Sequence, residues 1–141
     1  MSDAINILLV EDNPADVDLM VDTLESTRKE SVIHVARDGV EALDFLFQRG
    51  PYRNAPEPQL VLLDLNLPRK DGREVLQEVK KDARLRRLPV VIFTSSTSRD
   101  DILKSYDLHV NAYVRKPVGL KGYRDVVRSL DDFWFRIVQR P

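Results

Sequence analysis

Four apolar runs in this chain each end on a polar residue of a different chemical kind. Ile5–Val10 runs into Glu11-Asp12, Gln59–Leu63 into Asp64, Pro89–Phe93 into Thr94, and Asn111–Arg115 into Lys116-Pro117. The end residues amount to carboxylates for a hard cation, a lone carboxylate, a hydroxyl and an ammonium. Together they are the inventory needed to hold a phosphoryl group on an aspartate. Asp64 is the candidate nucleophile, since a carboxylate can accept a phosphoryl group and become a mixed anhydride. The added group carries about −2 charge and three acceptor oxygens. Lys116 suits one of those oxygens as a point charge and the Thr94 hydroxyl suits another. Crowded carboxylates raise one another's pKa unless a cation neutralises them. Mg²⁺ answers to Glu11, Asp12 and Asp64, because it takes oxygen ligands and prefers one or two carboxylates plus waters and phosphate oxygens. The backbone carbonyl of Asn66, two residues past Asp64, is a further candidate ligand.

These four strand ends must lie side by side for the chemistry to exist, and the pattern along the chain provides for that. Strand-like and helix-like stretches alternate from end to end. Val17, Met20, Val21 and Leu24 repeat at helical spacing after the first strand, with Pro14 suited to the first turn. Ser31–Ala36 reads as the second strand. Asp38 can cap a helix carrying Val40, Leu43, Leu46 and Phe47. Three prolines make residues 50–58 a loop. A helix from about Gly72 turns Val75, Leu76 and Val79 inward, and Ser98 can cap a short fourth helix with Ile102, Leu103 and Tyr106. The last helix is expected over 119–138, with a stripe of Tyr123, Val126, Val127, Leu130, Phe133, Trp134, Ile137 and Val138 that leaves Phe135 outside it. Five βα units in a row predict an α/β fold: a doubly wound, five-stranded parallel sheet in the order 2-1-3-4-5, flavodoxin-like, with helices on both faces. Ligands of such sheets bind at the carboxyl ends of the strands, which is the edge where all four end residues fall.

Composition narrows the classes. The chain has 141 residues, expected to form a single domain over 1–141, with 43% apolar and 32% charged residues, a globular balance. With no cysteine, thiolate catalysis and cysteine-based zinc sites are excluded. No apolar stretch approaches the roughly 20 residues of a membrane span, and no signal-peptide pattern precedes the first strand, so a cytoplasmic location is expected. A net charge of −1 offers no general attraction to nucleic acid. Charge is uneven, with 11 acidic and 4 basic residues in the first 50. The Arg84/Arg86/Arg87 cluster reads better as a solvated turn than as a phosphate patch, because no aromatic residues interleave with it. His34 and His109 read as structural residues.

The chain resembles receiver domains of two-component response regulators over nearly its whole length. The stretches that carry the resemblance are Ile7–Asn13, Leu62–Pro68 with Asp71-Gly72, Val91–Ser95 and Tyr113–Pro117. It implies that Asp64 is the phosphoacceptor, Glu11 and Asp12 the acidic pair, Thr94 the switch hydroxyl, Lys116 the phosphate lysine and Tyr113 the switch aromatic, with Tyr113 as a plain half-buried strand aromatic left open. It also implies a sensor histidine kinase as partner, with slow loss of the phosphoryl group, and makes a cis Lys116-Pro117 bond plausible. Ser105–Tyr113 and Asp132-Phe133-Trp134 are similar to regulators paired with phytochrome-type kinases. Further expectations from the resemblance are a single receiver domain without an output domain, a protein contact or a histidine phosphotransfer protein downstream, and a homodimer through the face of the fourth helix, fifth strand and fifth helix. A haloacid-dehalogenase-like phosphatase would carry a second acid where Asn66 stands. A flavodoxin-like carrier would need a phosphate loop where the acidic Glu11–Asp16 segment lies. A receiver kept only as a scaffold is the third alternative, and nothing in the site residues favours it.

Overall fold

The computed structural model describes residues 5–27, 30–139 and 141; residues 1–4, and with them the start of the chain, lie outside the described residues, as does the Ile137 side chain. Five strands, β1 (Ile5–Val10), β2 (Ser31–Ala36), β3 (Leu60–Leu63), β4 (Val90–Thr94) and β5 (Ala112–Arg115), alternate with α1 (Pro14–Thr27), α2 (Gly39–Leu46), α3 (Gly72–Lys81), α4 (Arg99–Asp107) and α5 (Leu120–Asp132). All strand pairs are parallel, in the order β2-β1-β3-β4-β5, as the βα alternation predicts.

The strands sort their side chains by parity, since successive residues point to opposite faces. Leu8, Val10, Val61, Leu63 and Ile92 join Leu43, Leu46, Val75, Leu76 and Val79 in one core layer. Ile7, Leu9, Leu60, Leu62, Val91 and Phe93 join Val17, Met20, Leu24, Tyr123 and Val127 in the other. Burial on both faces is why β1, β3 and β4 read as near-continuous apolar runs, with Asn6 an exception in β1. Helix starts follow their caps. Asp38 accepts from the Glu41 amide at 2.8 Å. Asp71 and Glu74 form a reciprocal capping box on α3. Ser98 accepts from the Asp101 amide at 3.3 Å to open α4.

On α4 Leu103 and Tyr106 are about half exposed, Ile102 is half-buried and Ser105 is buried. Two local expectations are corrected. The last helix ends at Asp132 and gives way to a π turn over Phe133–Ile137. The wider turn breaks the 3.6-residue phase. Phe133 is thereby left 48% exposed, while Phe135 packs against the core beside the buried Trp134. Finally, the described residues contain no cis peptide bond, so Lys116-Pro117 is trans. Arg84 behaves as a structural residue: it donates to the Leu46 carbonyl at 2.9 Å and lies 3.6 Å from Glu57.

Candidate functional site

Glu11 follows β1 by one residue, Asp64 follows β3, Thr94 ends β4 and Lys116 follows β5. Since these four strands are neighbours, their ends converge on one edge of the sheet. Glu11 (3% exposed), Asp64 (7%) and Lys116 (9%) are buried, which is unusual for charged groups and marks them as a paired set, and the uncharged Thr94 is buried as well.

Lys116 organises the site. Its Nζ donates to Asp64 Oδ2 at 3.0 Å, to Asp16 Oδ2 at 2.9 Å and to Glu11 Oε1. Burial alone would lower its pKa, but the hydrogen bonds to Glu11 and Asp16 and the charge of Asp64 outweigh that cost and hold the ammonium above its ordinary range. Burial has the opposite consequence for Glu11, whose carboxyl is pushed up despite its bond to Lys116, with the nearby Asp64 charge adding to the rise. One ammonium faces three carboxylates, and negative charge remains in excess.

Asp64 Oδ1 accepts the Asn66 amide at 3.2 Å, which folds the chain into a turn directly after β3. Gly72 keeps that turn compact. A Cβ at position 72 would lie 2.3 Å from the Asp64 carbonyl oxygen and 2.8 Å from Leu65 Cα. Glu11 Oε2 accepts the Asn13 amide at 3.1 Å. Asn13 in turn caps α1 through the Ala15 and Asp16 amides at 3.0 and 3.2 Å. That cap sets Asp16 on the first turn of α1, facing Lys116. Thr94 Oγ1 accepts the Ser96 amide at 3.4 Å. Tyr113 is half-buried, and its hydroxyl donates to the Ser96 carbonyl at 3.0 Å.

Glu11, Asp64 and Lys116 are thus in direct contact, with Thr94 on the adjoining strand end. Asp12 is exposed beside them, and so is Asn66. Among the described residues no three acidic or histidine side chains form a ready-made metal cage. An all-oxygen set of two or three carboxylates and a carbonyl, with excess negative charge and one solvent-facing member, nevertheless suits a hard cation that retains its waters. Asp16 was missed from the sequence. Its signal was available: it stands at the first turn of a helix that starts directly after the acidic pair, so its side chain returns to the strand ends. His34 Nε2 lies 2.9 Å from Asn6 Oδ1, and His109 takes a positive φ of 65° after α4.

A family described as the response regulator receiver domain matches residues 7–128. The response regulator Rcp1 of Synechocystis is 46% identical, the match covering 100% of this chain and 99% of the relative. A probable methanogenesis regulatory protein, FilR2 of Methanothrix harundinacea, is 43% identical over 91% of this chain and 82% of its own length. Among solved structures, the phosphorylated cyanobacterial phytochrome response regulator RcpA superposes with a TM-score of 0.95 at 46% identity, covering 98% of this chain and 99% of that one. The Mn²⁺-bound form of Rcp1 gives 0.93 at 46% identity, covering 97% and 99%.

Proposed function

The chain belongs to the response regulator receiver family, a histidine-kinase-partnered class of signalling domains, and on that premise we propose that Asp64 is its phosphoacceptor. The observation that carries this reading is the bond between Asp64 and the buried Lys116 at 3.0 Å, at the sheet edge where the neighbouring β4 ends on Thr94. Asp64 attacks the phosphorus of a phosphohistidine. The new O–P bond forms as the P–N bond breaks, and the imidazole keeps the electron pair. The ammonium of Lys116 then meets one phosphoryl oxygen, and the Thr94 hydroxyl turns to donate to another. Glu11, Asp12, Asp64 and the Asn66 carbonyl would hold Mg²⁺, which when bound supplies positive charge against the transferring group. The donor set supports that ion, and the Mn²⁺-bound form of the relative Rcp1 is in keeping with it.

The reading continues outward to the surface. Phosphorylation favours one of two packings of the loop after β4, with Tyr113 following Thr94 through Ser96. The domain is a switch over residues 1–141 with slow loss of its phosphoryl group, and it acts on no separate substrate. Exposed Val118 and Leu120 beside the site favour docking of a partner helix from the kinase. A phytochrome-type kinase is the favoured donor, because the relatives Rcp1 and RcpA and the bacteriophytochrome response regulator AtBRR, 46% identical at a TM-score of 0.76, share this chain's architecture. Exposed Leu103 and Tyr106 on α4, Phe133, and a shallow groove of about 300 Å³ lined by Val114, Val126 and Leu130 support a homodimer through the α4-β5-α5 face. The same face or the site mouth serves a phosphotransfer protein downstream. Among the described residues no helix is long and apolar enough to cross a membrane, in keeping with action in the cytoplasm.

The test is treatment with acetyl phosphate, or with beryllofluoride, in the presence of Mg²⁺, read by intact mass or by binding. One adduct on the wild type and none on Asp64→Asn is the expected result. Equal modification of both would end the reading.

A further inference from the structure

Two glycines enclose the turn that carries Asp64. Gly72 closes it from within, against the Asp64 backbone. Gly39, the first residue of α2, meets it from outside. A Cβ at position 39 would overlap the Lys70 carbonyl oxygen and lie 2.6 Å from the Lys70 carbonyl carbon and 2.7 Å from its Cβ. Gly39 is buried, so the backbone at the start of α2 is the surface on which the Lys70 peptide rests. Neighbouring residues strengthen that seat. Asp38 divides its carboxylate: Oδ1 accepts the Glu41 amide at 2.8 Å to cap α2, and Oδ2 accepts from the Arg69 guanidinium at 3.4 Å. Arg69 takes a φ of 65°, a left-handed backbone that a side chain bearing a Cβ adopts at a cost. Lys70 is held from α3 as well, its ammonium donating to Glu78 Oε2 at 2.8 Å. At the inner end Leu65 is fully buried with Leu43 and Leu46 of α2, and the Asn66 amide is bonded to Asp64 Oδ1 at 3.2 Å. Residues 65–70 are therefore fixed at both ends, by Asp64 and Gly72 on one side and by Gly39 on the other.

We propose that Gly39 and Arg69 are positioning residues: by seating the loop after β3 on the start of α2, they set where Asp64 and the Asn66 carbonyl stand for Mg²⁺, although α2 itself supplies no ligand. The proposal rests on the reading of Asp64 as an Mg²⁺-assisted phosphoacceptor. Its direction follows from the contact. A side chain at position 39 must push the Lys70 peptide, whose carbonyl cannot swing aside as the far end of a flexible side chain would. Gly72 leaves no room on the Asp64 side, so the displacement passes into residues 66–70. Mg²⁺ demands near-ideal octahedral geometry at short distances, so moving one of its ligands lowers affinity. Arg69 acts through order rather than contact. Its guanidinium on Asp38 holds the left-handed turn in place. Glycine at position 69 would adopt that turn without strain but would also leave it, and the loop would then have to be ordered as the ion binds.

The experiment titrates Mg²⁺ into the full chain by calorimetry, with thermal unfolding in chelator and the amide spectrum of residues 64–71 recorded alongside. Gly39→Ala is expected to lower Tm, to shift the metal-free amides of residues 66–70 and to weaken Mg²⁺ binding on the order of tenfold. Arg69→Gly is expected to weaken binding about threefold with Tm unchanged or raised, a split that a merely structural role does not produce. Gly50→Ala is the control. Gly50 has a φ of 55° in the segment between α2 and β3, with open space where a Cβ would stand. Alanine there strains the backbone without pressing on the loop after β3, so Tm falls and Mg²⁺ affinity stays at the wild-type value. If Gly39→Ala does not fold, Arg69→Gly decides. Wild-type affinity in Arg69→Gly, or in a folded Gly39→Ala, overturns the proposal, and so does an equal loss of affinity in Gly50→Ala. A wild type that binds no Mg²⁺ removes the metal reading and this proposal with it, whereas binding in the wild type with unresponsive variants removes this proposal alone.

Discussion

Lys116 Nζ and Asp16 Oδ2 lie 2.9 Å apart, although a hundred positions of chain separate them and one residue follows a strand while the other opens a helix. Asp16 is the outermost of the three carboxylates around the ammonium, and it shares Lys116 with the two buried ones. Asp16→Asn removes one negative charge and leaves Lys116 to Glu11 and Asp64 alone. The expected outcome is Mg²⁺ binding weakened on the order of fivefold, measured by calorimetry. Binding at wild-type strength would show that Asp16 only decorates the site.

Lys116 is the counter-ion of two carboxylates that have little access to water. Lys116→Met leaves Glu11 and Asp64 buried and unpaired, and should cost about 3–5 kcal/mol of stability. Because the loss is uncompensated negative charge, Mg²⁺ in excess should recover a large part of it, through the usual linkage of ligand binding to folding. Denaturant melts with Mg²⁺ and with a chelator would check this, and an equal loss in both would contradict it.

Gly72 is required by contact with the backbone under Asp64. Gly72→Ala places a methyl 2.3 Å from the Asp64 carbonyl oxygen. Neither atom can yield as a flexible side chain would. Overpacking of this kind costs roughly 1–3 kcal/mol. The Asp64 turn should shift with it, so phosphorylation slows as well as Tm falling. A variant with lower Tm but an unaltered phosphorylation rate would show that the turn tolerates the displacement.

Tyr113 reports the site to the surface through the Ser96 carbonyl. Tyr113→Ala should leave modification of Asp64 near the wild-type level while weakening the response of any partner. Tyr113→Phe separates the hydroxyl from the ring, and should keep the packing but lose the bond to Ser96, at a cost of about 1 kcal/mol. Phosphorylation-dependent changes in the amide spectrum of β5 and α4 provide the measurement. If they persist undiminished in Tyr113→Ala, the aromatic ring has no part in the switch.

The Asp101 carboxyl is held below its ordinary value of 3.8, first by the hydrogen bond from Ser96 and then by that from Arg73. A carboxylate depressed in the folded state adds stability that is complete above its unfolded pKa and is lost as pH falls through the folded value. The stability difference between the wild type and Asp101→Asn should therefore be constant above about pH 5 and shrink below about pH 4. Unfolding curves across that range test it; a difference that grows in acid would reverse the sign and refute the assignment.

The site was unusually legible in the chain itself because each of its buried members ends an apolar run. Once alternation predicts a parallel sheet, the order of strands brings Glu11, Asp64, Thr94 and Lys116 to one edge with no further information. Two capping residues were equally readable, since Asp38 and Ser98 act on amides three residues away and depend only on local sequence. What periodicity could not reveal was any feature set by a change of helical phase. The π turn after Asp132 exchanged the fates of Phe133 and Phe135, and α4 kept an outward apolar side because little covers it.

By itself, then, the sequence determined the fold, the strand order and the chemical kinds gathered at the sheet edge, because those follow from short apolar runs alternating with stretches patterned at a period of 3.6. Tertiary structure alone decided that Lys116 is shared among three carboxylates, that Gly72 supports Asp64, and that Arg73 and Asp101 tie α3 to the loop after β4. Each of those is a meeting between residues distant in the chain, settled by how helices lie on the sheet, and no local spacing encodes the distance between two side chains that approach from different elements.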